Sequence, residues 1–124
     1  DVRKGMMMFQ KVNVPLLGIV ENMSFFLCGH GGARTEIFSH GGGERAAEKL
    51  GIPFLGRVPI DPAIRAGGDT GNPIVVAKPD SPQAQAFREI AAKLAAALQT
   101  GEAGAAKSRI ASLLDKIKRP ATGN

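Results

Sequence analysis

A continuous apolar run, Leu16-Leu17-Gly18-Ile19-Val20, constrains this chain more than any other segment. The run does not alternate, so it suits a strand covered on both faces, as in a parallel sheet packed between helices. A parallel neighbour requires a crossover connection. Residues 44–50 supply one, with Ala46, Ala47 and Leu50 on one helical side and Gly51 at a fitting C′ position. Residues 53–58, Pro-Phe-Leu-Gly-Arg-Val, form a second candidate strand that Pro59 ends. Strand, helix, strand in this order is a βαβ unit, whose crossover is expected to be right-handed. The expected class is α/β.

The flanking segments extend this reading. Residues 3–12 are expected to be a short helix with Met6, Met7, Phe9 and Val12 as apolar positions, weakened by Gly5. Residues 24–43 read as a glycine-rich loop. Residues 62–66 suit a helical turn that Gly67-Gly68 and Gly71 break, and residues 73–76 suit a short extended piece. The strongest helix signal follows, with Ser81 at the N-cap and Pro82 at the first helical position. Its expected apolar face is Phe87, Ile90, Ala91, Leu94 and Leu98, and Gly101 stops it. A linker at 101–104 precedes an amphipathic helix with Ile110, Leu113, Leu114 and Ile117 on one face, ending before Pro120. The chain thus divides into a body, 1–100, and an extension, 101–124. So few strands suggest a partial three-layer parallel sheet that belongs to a larger one. A start at Asp1 rather than Met fits a fragment.

Charge and composition exclude several function classes. The net charge is +5, but residues 1–100 hold 11 basic and 9 acidic side chains, while residues 101–124 hold 5 and 2. The excess therefore sits on the extension, where a solvated tail is the plainer explanation. Without Tyr or Trp, and without a basic stripe interleaved with aromatics, a nucleic-acid platform is not expected. No apolar run approaches the ~20 residues of a membrane span, and no secretory signal is visible. A single cysteine rules out an intrachain disulfide framework and suits a reducing cytoplasm.

That cysteine, Cys28, opens Cys28-Gly29-His30-Gly31 after the first strand, and His40 lies further on. Thiolate and imidazole both bind zinc and iron–sulfur centres. A structural zinc site wants four protein ligands, and three at this spacing leave two readings open: a metal site, or a loop cysteine beside surface histidines. Gly41-Gly42-Gly43 precedes a helix, whose N-terminus attracts anions. Glu44 and Glu48 oppose a phosphate there, however, and no segment fits G-x-x-x-x-G-K-S/T. Asn22 follows the first strand and Asp61 the second, so a parallel sheet brings both to one edge, where a nucleotide base can be bonded. Locally, Asn22 reads as a turn residue and Asp61-Pro62 as a helix N-cap with Pro at the next position. No catalytic constellation is visible. Residues two apart on a glycine loop do not define a Cys–His dyad.

The segments Gly18-Ile19-Val20-Glu21-Asn22-Met23-Ser24, Arg34-Thr35-Glu36-Ile37-Phe38, His40-Gly41-Gly42-Gly43 and Ala47-Glu48-Lys49-Leu50-Gly51 resemble the carboxyl-terminal half of the Mrp/ApbC family. So do Pro53-Phe54-Leu55-Gly56, Val58-Pro59-Ile60-Asp61-Pro62 and Gly67-Gly68-Asp69. These are P-loop ATPases related to the ParA and nitrogenase-iron-protein group, and they act as scaffolds or carriers in iron–sulfur cluster assembly. The resemblance covers residues 1–98 and implies the carboxyl-terminal half of such a domain, with 101–124 outside it. It implies Cys28 as a ligand of a labile cluster of the 4Fe–4S type, shared across a homodimer and passed to apo iron–sulfur proteins. It further implies that Asn22, Pro59 and Asp61 lie near the adenine of ATP. ATP and magnesium are expected only together with the amino-terminal half, which carries the family's phosphate loop. The family's second cysteine is replaced here by Gly31, leaving His30 as the neighbouring candidate ligand. A non-catalytic interaction or regulatory module is the alternative expectation.

Overall fold

In the computed structural model, the described residues are 2–27, 33–36 and 41–101. The linker and the helix expected in the extension lie outside them.

The expected βαβ unit is present. Strand β1 (Ile19–Glu21) pairs in parallel with a strand at Phe54–Arg57, and the helix Gly42–Leu50 lies between them in sequence. The ladder starts only at Ile19, later than the apolar run suggests, because the partner segment begins with Pro53. That residue has no N–H to give, and its carbonyl accepts from Ile19 N at 2.9 Å. Register then slips by one residue, from Ile19 opposite Phe54 to Val20 opposite Gly56. Such a bulge leaves Leu55 as the extra residue. Gly56 has φ 151°, and a Cβ there would lie 2.8 Å from Ile90 Cγ1, so both backbone and packing require glycine.

In chain order the elements are α1 (Val2–Lys11), β1, β2 (Phe26–Leu27), β3 (Arg34–Thr35), α2 (Gly42–Leu50), β4 (Phe54–Arg57), α3 (Pro62–Thr70), α4 (Ile74–Ala77) and α5 (Pro82–Thr100). Met6 of α1, Ala47 of α2 and Ile52 form a buried cluster, against which Leu16, Ile19, Leu50 and Phe54 pack. A second packing region joins β4, α4 and α5, where Leu55, Ile74, Ala84 and Ala97 are buried. Helix α5 begins and ends as expected: Ser81 Oγ accepts from Ala84 N at 3.1 Å, Pro82 starts the helix, and Gly101 caps it in the left-handed region. Its inward face is Ala84, Phe87, Ile90, Leu94 and Ala97. Ala91 and Leu98, assigned to that face from sequence, are exposed. No helix among the described residues is long and apolar enough to cross a membrane.

Three other expectations are corrected. Residues 24–43 do not form only loop, because β2 and β3 pair antiparallel within them. Helix α3 does not stop at Gly67-Gly68 but runs to Thr70, with Gly71 as its left-handed cap. At Gly67 the chain folds back so closely that a Cβ would lie 2.5 Å from the Asn72 carbonyl oxygen, while Gly67 O accepts from Asn72 N at 2.8 Å. Gly67 is thus a contact point rather than a helix breaker. Residues 74–77 are helical rather than extended, because burial of Ile74 outweighs the β preference of Ile-Val-Val.

The two glycines of α3 therefore differ. Gly68 has open space around its Cβ position. Gly68→Ala is expected to stabilise the chain by about 0.5–1 kcal/mol, through the usual helix preference for alanine. Gly67→Ala should lose about 1 kcal/mol or more, because the obstacle is backbone. Urea denaturation of both variants beside the parent chain measures the opposite signs.

Candidate functional site

Past the ends of β1 and β4 the two chains continue side by side. Val58 N donates to Glu21 O at 2.9 Å, Ser24 N to Val58 O at 3.0 Å, and Ile60 N to Phe25 O at 2.7 Å. Phe26 and Ile60 complete the series as a parallel bridge. This ladder brings Asn22, Pro59 and Asp61 to the carboxyl edge of the sheet, as their positions after parallel strands require.

Each of the three has a local role there. Asn22 is exposed, and its Oδ1 accepts from Met23 N at 2.8 Å, supporting a turn in which Met23 takes φ 54°. Pro59 is buried between the two ladder residues Val58 and Ile60. Asp61 caps α3, its Oδ1 accepting from Ala63 N at 2.7 Å, with Pro62 at the first helical position. Its Oδ2 accepts from Gln83 Nε2, on the first turn of α5. One carboxylate therefore ties the start of α3 to the start of α5. Gln83 was not singled out from sequence, since no spacing marks a contact across 22 residues.

The ladder also carries the hairpin of β2 and β3. Phe26 pairs with Thr35 and Leu27 with Arg34. The Arg34 guanidinium sits 4.0 Å above the Phe25 ring, and its Nε bonds Glu36 Oε1 at 2.8 Å. Cys28 directly follows Leu27 in sequence. Cys28, His30 and His40 lie outside the described residues, so the structure describes the anchor of the candidate ligand segment and not the ligands. Among the described residues, no group of three or more His, Cys, Asp or Glu side chains is placed to hold a metal ion.

The glycine-rich start of α2 has an anionic partner that sequence reading missed. Gly41, the N-cap, offers no side chain, and Glu21 Oε2 accepts from Gly43 N at 2.6 Å. The other oxygen, Oε1, accepts from Ser24 Oγ at 2.6 Å, and Ser24 is buried. The position weighed for a phosphate thus holds a carboxylate of the chain itself, favourably placed at the positive end of the helix. A Cβ on Gly43 would lie 2.7 Å from Glu21 Oε2, so glycine is required for this contact. Nearby, Arg57 pairs with Glu44 and lies over the Phe54 ring, 5.4 Å from its centroid.

A parallel βαβ unit with helices packed against it is part of an α/β fold of the open-sheet kind, whose carboxyl edge is where such sheets place ligands. A family model described as ParA, NUBPL iron-transfer P-loop NTPase, matches residues 1–95, and the chain belongs to this family. It is 50% identical over 94 residues to the iron–sulfur cluster transfer protein NUBPL of Dictyostelium discoideum, covering 76% of this chain and 29% of the relative. It is 49% identical over 94 residues to the iron–sulfur cluster carrier protein of Pyrococcus furiosus, covering 76% and 32%. A 43% identity over 98 residues relates it to the carrier protein of Escherichia coli, covering 79% and 27%. The chain therefore spans about a third or less of the length of these curated relatives. Among solved structures, a nucleotide-binding protein of Archaeoglobus fulgidus in complex with ADP is similar, with a TM-score of 0.54 and 34% identity. The match covers 66% of this chain and 32% of that one.

The double use of Asp61 has a measurable consequence. Asp61→Ala should cost about 1–2 kcal/mol of stability, the usual loss for a helix N-cap. Gln83→Ala leaves the cap in place and should cost about 0.5–1.5 kcal/mol, the net value of one hydrogen bond. Chemical denaturation of the two variants and their double mutant tests the ranking, and a sub-additive double mutant is expected because both act on one carboxylate.

Proposed function

We propose that this chain is the carboxyl-terminal portion of an iron–sulfur cluster carrier, with the cluster as cargo rather than as a resident catalytic group. The observation that carries the reading is the family match across residues 1–95, a span that contains both Cys28 and the ladder edge. Cys28 supplies a thiolate to the cluster, and His30, two residues on, offers an imidazole in place of the second family cysteine, as imidazole replaces thiolate in Rieske centres. Two thiolates from a homodimer fall short of the four ligands of common clusters, so the cargo, of the 4Fe–4S type, is held weakly and is released to apo iron–sulfur proteins of the cytoplasm.

In a protein that also carries the phosphate loop, the edge at Asn22, Pro59 and Asp61 faces the adenine of ATP. The Asp61 carboxylate, bonded to Ala63 N and Gln83, serves this edge by fixing the course of Pro59 to Asp61. The 124 residues themselves contain no G-x-x-x-x-G-K-S/T segment. This favours a second reading for the chain in isolation: a non-catalytic interaction module.

Two measurements test the proposal. Anaerobic reconstitution with iron and sulfide should give bound iron and a visible absorption band in the parent chain. Cys28→Ser should lose most of both, and His30→Ala should retain less iron and a smaller dimer fraction. Iron at the parent level in Cys28→Ser overturns the ligand assignment. The purified chain should also release no phosphate from ATP with magnesium, since the lysine-bearing loop supplies the charge stabilisation this reaction needs. Phosphate release that Asp61→Ala abolishes would contradict that expectation.

A further inference from the structure

Helix α1 carries more apolar surface than the described body covers. Val2, Met6 and Phe9 are spaced i, i+4, i+7 and therefore share one face. Met6 is buried in the cluster with Ala47, whereas Val2 is 65% exposed and Phe9 44%. Strand β1, into which this helix leads, is open as well. Among the described residues β4 is its only strand partner. Ile19 N–H bonds Pro53 O and Glu21 C=O accepts from Val58 N, so Val20 between them turns its N–H and C=O to the opposite edge. Val20 is itself 42% exposed, in an apolar run whose pattern calls for cover on both faces.

Handedness decides what closes both gaps. Helix α2 is the crossover from β1 to β4, and α1 lies on the same face of the sheet, since Met6 and Ala47 belong to one cluster against which Ile19 packs. Crossovers between parallel strands are right-handed in nearly all cases. Two consecutive crossover helices on one face therefore serve strands that step across the sheet in one direction. The strand served by α1 belongs beside β1, on the edge away from β4. We infer that the free edge of β1 and the apolar face of α1 form one docking surface, and that its occupant is an apolar strand running parallel to β1 and into α1. The chain spans only 29% and 32% of two of its relatives, so members of this family carry ample further chain to supply such a strand. A second copy on a two-fold axis would instead pair β1 antiparallel with itself, leaving α1 without the strand that its handedness requires. The inference rests on the reading of this chain as a portion of a larger carrier, and makes no use of Cys28.

Two substitutions probe the surface from its two sides. Val20→Pro removes the outward N–H and blocks an added strand, while the bonds to β4, made by Ile19 and Glu21, remain. Phe9→Lys places a charge on the exposed part of the α1 face and leaves Met6 in its cluster. Val76→Lys, at a residue 67% exposed on α4, is the control.

The test compares each variant in the full chain with the same variant in a chimera, in which this chain replaces the matched segment of the Pyrococcus furiosus carrier protein. In the isolated chain all three substitutions should shift Tm by no more than about 3 °C, as surface changes do. In the chimera Val20→Pro and Phe9→Lys should each lower Tm by roughly 10 °C, because the edge and the face are then covered, while Val76→Lys stays neutral. The Val20 amide should exchange roughly tenfold faster than that of Ile19 in the isolated chain, and at a similar rate in the chimera. Equal Tm shifts in chain and chimera overturn the inference, and Phe9→Lys decides alone if Val20→Pro does not fold. Ile19-like protection of Val20 in the isolated chain also overturns it, as does a dimer of that chain which either variant dissolves. None of these readouts involves iron, so iron retained by Cys28→Ser would sink the ligand assignment and leave this inference standing.

Discussion

The parallel backbone ladder between residues 19–26 and 53–60 is the constraint on which the rest of the arrangement depends. Its rungs, from Ile19 N on Pro53 O to Ile60 N on Phe25 O, run beyond the named strands at their carboxyl ends. Side chains contribute little to these rungs, so the alignment survives variation in the residues that make it. What they do need is relief from mismatch. That is supplied at Leu55, where one extra residue is absorbed, and at Gly56, whose backbone and missing Cβ let Ile90 of α5 settle on the strand. A ladder without this bulge would rotate the following residues to the wrong face, and Val58, Pro59 and Ile60 would no longer meet the hairpin.

The edge that results is structurally saturated. Asn22 supports its own turn, Asp61 caps one helix and binds a second, and Glu21 occupies the start of a third. A polar edge with so many internal partners has its backbone course fixed, which is what the base contact and the ligand segment proposed above would require. The same hydrogen bonds that answer a plain structural account of these residues therefore also suit the functional one. The two accounts are not competitors at Asp61. Its role as N-cap is the means by which Pro59 and Ile60 are held.

Much of this was legible in the sequence, and the failures have identifiable causes. The βαβ unit announced itself through a non-alternating apolar run and a helix closed by Gly51, and α5 through Ser81, Pro82 and Gly101, all local signals. The hairpin was missed because two-residue strands such as Phe26–Leu27 carry no measurable period, and its support, Arg34 over Phe25, is a contact across nine residues. Gly67 was misread because glycine serves both as a breaker and as a place of close approach, and only the position of Asn72 distinguishes them. Ile74 was misread because β propensity yields to burial. At the site, the positions of Asn22 and Asp61 along one edge followed from parallel topology, and Pro59 from the family resemblance. Glu21 and Gln83 did not, since each acts through a partner 22 residues away that sequence pattern does not specify.

The Glu21 tie also bears on how a chain of this kind can change over generations. Closing a segment at its ends separates its interior from the fold that carries it. Holding Ser24 and Gly43 on one carboxylate fixes the two ends whatever the length of chain between them, and each doubling of a connecting loop costs only about 0.6 kcal/mol. The intervening sequence can therefore lengthen or shorten while the sheet beneath it keeps its register.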